Sequence, residues 1–226
     1  MSDPARGGVA RSNAFSFRRQ PAYRPDRDTP HVAAQPRREY DDPAVQVLIR
    51  ALEMRDPFTL GHAERVADLS VAVAKRLRWD ESKVADLRLA ALLHDLGNLG
   101  VEDQILNKVG RLTPEEVAKM QAHTRLGATL VEGAPALDVA GPVILFHHER
   151  WDGAGYPKRL LGADIPIEAR IVAITDAYDA MISNRSYRRS MTSDEASREL
   201  KRQSGYQFDP SLLGIFLDVS NSGSGN

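Results

Sequence analysis

The chain has 226 residues, 42% of them hydrophobic, which is enough for one large domain with a substantial core. It contains no cysteine, so disulfides and thiolate metal sites are excluded. The formal charge of −1 is unevenly spread: residues 1–39 carry eight arginines against Asp3, Asp26, Asp28 and Glu39, a local +4 that leaves −5 for the remainder.

That basic segment also holds five prolines and few apolar residues, a composition that predicts a disordered, solvated tail over 1–40. Its arginines are not followed by an apolar stretch of the kind a secretory signal needs. The apolar runs, such as Val143 to Phe146, fall far short of the ~20 residues of a membrane span. The reading is a cytoplasmic protein with no membrane span and no nucleic-acid polymer as partner.

From Asp41 onward the pattern is helical, and no strand alternation competes. Asp42 before Pro43 marks a first helix, with proline at its first position. Thr59 is a candidate cap for a second, whose face runs His62, Val66, Leu69, Val73, Leu77. Asp80 opens a third, with the face Val84, Leu87, Ala91, His94, and Gly97 is expected to close it. Thr113-Pro114-Glu115-Glu116 reads as a capping box, and its helix leads toward His123. A fifth helix is predicted over about 137–150, a sixth over 167–183 and a seventh from the box Thr192/Glu195. A last short one follows Pro210. The predicted fold class is all-α, a bundle of about eight helices spanning 41–218, with a flexible C-terminus at 219–226.

Of six histidines, His31 lies in the tail. The other five, His62, His94, His123, His147 and His148, each fall near a predicted helix end. One histidine on an apolar face is most often a satisfied core residue. Five of them, with Asp95 next to His94 and Asp176 on a strongly apolar helix, call for another explanation. A buried aspartate is costly unless something pairs with it, and a metal cation is one such partner. Imidazole and carboxylate together suit Fe, Mn, Zn or Co rather than Ca or Mg. The set exceeds the three or four protein ligands of one catalytic zinc and could serve two ions if Asp95 bridges them. Paired metals assist phosphoryl displacement, so the constellation points to metal-assisted hydrolysis of a phosphate ester.

At this point the residues resemble a known family. His94-Asp95, with His62 upstream and Asp176 downstream, is similar to the HD phosphohydrolase superfamily. The stretch "HHERWDGAGYP" at 147–157 resembles its HD-GYP branch, which hydrolyses the bacterial second messenger cyclic di-GMP. Further matching stretches are "DPFTLGHAERVA", "ALLHDLGNLGV", "HTRLGA", "IPIEARIVAITDAYDAM" and "NRSYRR", between about Ala44 and Leu217. The resemblance implies an HD-domain helical bundle and two divalent metal ions, Fe or Mn. It places the ligands on His62, His94, Asp95, His123, His147, His148 and Asp176, with Asp95 as the catalytic bridge. It places substrate contacts on Arg185, Arg188 and Tyr156. It also implies pGpG, GMP or both as products, and signalling proteins as candidate partners.

The sequence departs from the family pattern in two places. Asn98 stands where the commoner motif has a lysine near the substrate phosphate, which predicts slower turnover rather than loss of metal; Lys108 is a candidate substitute. Phe58 stands where some members place a glutamate that holds a third metal, which favours two. Two alternatives therefore stay open: a cyclic dinucleotide sensor or protein-interaction module with weak activity, and an HD phosphohydrolase acting on another nucleotide. Among smaller features, Asp152, Gly153 and Gly155 suit a turn with positive φ. Trp151 reads as a packing anchor. Asp179 is placed to orient a metal ligand or an arginine such as Arg185. Asp56 either pairs with Arg65 or caps a helix.

Overall fold

Local capping chemistry sets several helix starts. The computed structural model describes residues 43–55, 57–183 and 190–222. The expected tail, Asp56, Arg185 and Arg188 lie outside them. Helix α1 runs Pro43–Arg55, with the proline at the expected position, and α2 runs Pro57–Arg76. Thr59 therefore sits inside α2 and is not its cap, because Pro57 already supplies a preset φ for the first turn. The side chain of Phe58 lies outside the described residues. Asp80 caps α3 (Glu81–Leu93) by accepting the Lys83 N–H at 2.9 Å.

After α3 the chain tightens into a 3-10 turn over Leu96–Gly100, then a short α4 (Asp103–Leu106). The capping box of Thr113 and Glu116 starts α5 (Pro114–Gln121), as the sequence predicts. A single residue, Ala122, separates it from α6 (His123–Val131). The fifth predicted helix is shorter than expected: after a 3-10 turn at Pro135–Leu137, α7 covers only Gly141–Phe146, and His147 is its C-cap. Helices α8 (Ile167–Ile182), α9 (Ser193–Arg202) and α10 (Pro210–Ser222) complete the order. The Thr192/Glu195 box caps α9, and α10 runs beyond residue 218. Among the described residues there is no β-sheet, and the fold is an all-α bundle.

Helix α2 is the central rod. It packs along α3 on one side and α8 on the other. The contact residues are small where the rods approach: Ala63, Ala67, Ala74, Ala90 and Ala91 are all buried. Ser70 of α2 and Thr175 of α8 meet hydroxyl to hydroxyl at 2.9 Å across this contact, with the Val66 and Val172 carbonyls in reach as further acceptors, so neither hydroxyl is orphaned. Leu213, Phe216 and Leu217 of α10 close the core, with Phe216 edge-on to Tyr178 at 5.0 Å. A smaller apolar cluster, Val101, Ile105, Leu106 and Met120, seats α4 and α5. No helix among the described residues is long and apolar enough to cross a membrane.

Candidate active site

The helix ends that carry histidines meet at one place. His62 comes from α2, His94 and Asp95 from the end of α3, His123 from the start of α6, and His147 and His148 from the end of α7. Two glycines make the approach possible. A Cβ on Gly97 would lie 1.8 Å from the His123 carbonyl oxygen, and one on Gly127 would lie 2.7 Å from Ile144 and 2.8 Å from the Gly97 nitrogen. The turn bearing Asp95 is thus pressed directly onto the backbone of α6. Gly97 does not close α3, which ends at Leu93; it lies in the following 3-10 turn, and its role is this backbone contact.

The imidazoles are oriented alike. The Nδ1–H groups of His94 and His123 donate to the Ala91 and Met120 carbonyls, each at 2.7 Å, and that of His147 donates to Ile144 at 3.0 Å. Carbonyl oxygens only accept, so Nδ1 carries the proton in each, and Nε2 presents a bare lone pair to the centre. His123 and His147 bring those nitrogens within 3.4 Å of each other, and His94 Nε2 is buried without a hydrogen-bond partner. Burial, together with His94 and His123, pushes His147 down to about 3, and burial with His147 and His123 holds His148 well below the usual imidazole range. His147 and His148 are therefore neutral rings at neutral pH.

His62 is arranged differently. Its Nδ1 donates to Asp179 at 2.7 Å, and its Nε2 lies 3.2 Å from Asp176 Oδ1. Burial opposes its charge, but hydrogen bonds to Asp176 and Asp179 outweigh that and raise it to about 9. Asp179 is buried, which opposes its charge, yet the bonds to His62 and Arg65 lower it to about 2. Arg65 grips both Asp179 oxygens at 2.6 and 2.9 Å, and Ser183 Oγ donates to Oδ2 at 3.0 Å. Of the roles open to Asp179, the structure thus pairs it with His62 and with Arg65.

Donor atoms within 4.8 Å of one another form two groups, Asp95 with His123, His147 and His148, and His62 with His94 and Asp95. Asp95 belongs to both. Its Oδ1 lies 3.6 Å from His123 and its Oδ2 3.7 Å from His94, so one carboxylate straddles the two groups. Asp176 joins through His62 rather than through either group. This donor set fits divalent cations: imidazole nitrogens gathered around one shared carboxylate, with Nδ1 bonds that orient the rings of His62, His94, His123 and His147.

A profile of the HD domain matches residues 46–212. The chain belongs to the HD-domain family. Its HD domain is 40% identical over 186 residues to a cyclic di-GMP phosphodiesterase of Thermotoga maritima, covering 80% of this chain and 50% of that protein. It is 38% identical over 183 residues to the 3'3'-cGAMP-specific phosphodiesterase 2 of Vibrio cholerae, covering 80% and 35%. In structure it is similar to Bd1817, an HDG"Y"P protein from Bdellovibrio bacteriovorus, with a TM-score of 0.59, 25% identity and coverage of 72% and 52%. The chain spans about half or less of the length of these curated relatives.

Around the HD-domain centre, Tyr156 stacks on His148, with centroids 4.9 Å apart and planes at 28°. The Tyr156–Pro157 peptide is cis. Gly153 has the expected positive φ, and Asp152 accepts the Ala154 N–H at 3.0 Å. Gly155 does not have positive φ; a Cβ there would lie 2.4 Å from the Arg150 nitrogen, so the loop needs it for close backbone approach. Trp151 is half-buried, with Gly162 against its ring and Arg170 over it at 5.6 Å, a packing role. Asn98 is buried in the same 3-10 turn as Asp95, whose carbonyl accepts the Asn98 N–H at 2.9 Å. Lys108, the candidate substitute for the missing lysine, pairs with Glu116 of the α5 capping box at 2.7 Å. Sequence reasoning missed Glu149. Its buried carboxylate accepts the backbone N–H groups of Lys158 at 2.6 Å and Leu160 at 3.1 Å, pinning the loop that carries Tyr156. A charged residue between a histidine doublet and a Gly-rich turn carried no signal that it would be buried.

Proposed function

We propose that the chain is a metal-dependent phosphodiesterase that hydrolyses cyclic di-GMP to pGpG, GMP or both. The observation that carries this reading is the Asp95 carboxylate shared by two groups of inward-facing imidazole nitrogens. His62, His94, Asp95 and Asp176 would hold one divalent ion, and Asp95, His123, His147 and His148 the other, with Fe or Mn as the metals. When bound, such a pair supplies Lewis acidity at phosphorus and an activated water for in-line attack.

The chain's own residues do the rest. The carbonyls of Ala91, Met120 and Ile144 each accept from Nδ1–H and so turn Nε2 of His94, His123 and His147 toward the centre. Asp179 and Arg65 orient His62. Tyr156, fixed against His148, forms one wall where a base or ribose would rest. Asn98 can donate a hydrogen bond to a phosphate oxygen but brings no charge, which favours modest turnover. Arg185 and Arg188 would hold guanine and phosphate through their guanidinium forks. The signalling role and a cytoplasmic setting follow from the substrate.

A second substrate is favoured by a specific observation: relatives of nearly equal similarity are named for cyclic di-GMP and for 3'3'-cGAMP. The test incubates Fe- or Mn-loaded protein anaerobically with each dinucleotide and follows linear products and mononucleotides. Turnover of cyclic di-GMP to pGpG is expected. Binding without turnover, in protein holding two metals per chain, would overturn the enzyme in favour of a sensor.

A further inference from the structure

Arg65, the arginine beside His62, is committed to Asp179. A cyclic dinucleotide carries two phosphates in one ring, and only one can occupy the donor cluster at a time. The second lies outside that cluster, where a cation beyond Arg185 and Arg188 can also meet it.

Three cations lie beside the Tyr156 wall. Arg125 is two residues beyond His123 in the first turn of α6, and its Nη2 donates to the Pro157 carbonyl at 3.4 Å. Lys158 and Arg159 follow on the same loop. All three side chains are exposed, and among the described residues none pairs with a carboxylate. The loop is not slack: the buried Glu149 carboxylate accepts from the backbone on both sides of Arg159, and Tyr156 is stacked on His148. Charge held on a pinned loop loses less conformational freedom when it meets an anion than charge on a free one.

We propose that Arg125, Lys158 and Arg159 form a cationic rim that takes the second phosphate, so that the rim favours dinucleotides over simpler phosphodiesters. This rests on the phosphodiesterase reading above. The test compares Mn-loaded wild type with Arg125→Gln and with the triple variant Arg125→Gln/Lys158→Gln/Arg159→Gln. Two substrates are used, cyclic di-GMP and the single-phosphate diester bis(p-nitrophenyl) phosphate, with thermal unfolding and metal content as checks.

In the triple variant the loss of kcat/KM on cyclic di-GMP should exceed the loss on the small diester by about tenfold, mostly through KM, as lost charge-assisted contacts predict. The salt dependence of KM for the dinucleotide should flatten. Equal losses on both substrates, or an unchanged KM for cyclic di-GMP, would overturn the rim. A wild type that binds cyclic di-GMP but cleaves neither substrate overturns the phosphodiesterase reading alone. The rim is then decided by the Kd of cyclic di-GMP, an unchanged value in the triple variant counting against it. A wild type that does not bind cyclic di-GMP overturns both.

Discussion

The two halves of the centre share Asp95 and little else. On the His147 side, burial strips protons from the rings, and backbone carbonyls hold them in place. On the His62 side, two carboxylates hold a proton on the ring up to about 9, and an arginine steadies one of them. In the first half His147 and His148 can ligate without losing a proton, whereas in the second His62 must give one up before it can take a cation. Similar ligand types can therefore differ widely in readiness at neutral pH.

The largest expected effect removes the shared element. Asp95→Ala should abolish retention of both metals and lower turnover by roughly 10³-fold, since it removes one preorganised charge from both halves. Inductively coupled plasma analysis of metal per chain checks it; retention of two ions would break the shared-carboxylate account. Next, Asp179→Asn should weaken metal affinity by about 10–100-fold, as loss of a ligand's orienting partner typically does. The effect should be confined to the weaker of two binding steps in a calorimetric titration. If the tighter step weakens instead, the two halves have been assigned the wrong way round.

The pH dependence of the metal-free fold sharpens the comparison further. His147 is depressed in the folded state, so the unfolded chain takes up a proton first as pH falls below 6.5, and stability is lost from there toward about 3. His62 is raised, so its contribution is complete below 6.5 and is lost as pH rises through about 9. Urea unfolding at pH 5, 7 and 9.5 should show stability falling on both flanks. His147→Gln should reduce the acid loss and His62→Gln the alkaline one; a variant that changes the opposite flank would contradict the assignment. The smallest effect is Asn98→Lys, expected to raise turnover a few-fold at about 1 kcal/mol of added charge-assisted contact. An unchanged or lower rate counts against the missing charge as the cause.

Much of this was legible in the sequence because the relevant signals are local. Asp80, Thr113 and Thr192 announce their helices through side-chain caps, and all three do so in the fold. The His62 stripe marks a buried face, and His62, Val66 and Val73 are buried. What escaped reading depends on partners distant in sequence. The separation of α6 from α5 has no side-chain cap and no breaker, since Ala122 stays in helical dihedrals. Gly97 and Gly155 look like turn glycines, but what they avoid is backbone packed against them, that of α6 for Gly97 and of Glu149 and Arg150 for Gly155. Glu149 is charged and sits in a polar run, so only the loop folding back over it reveals that it is buried. Lys108 has a partner eight residues on that no periodicity would single out.

The contact between Gly97 and the His123 carbonyl has a bearing on attempts to retune this protein. A methyl group at position 97 leaves every donor atom chemically intact, yet its Cβ would stand 1.8 Å from that oxygen. One of the two segments would have to yield, and His123 and Asp95 would part company. In a mutational scan Gly97 would then score with the histidines while contributing no reactive group. Anyone wishing to change which ion the centre prefers by shifting His123 has a tolerance here narrower than one carbon atom.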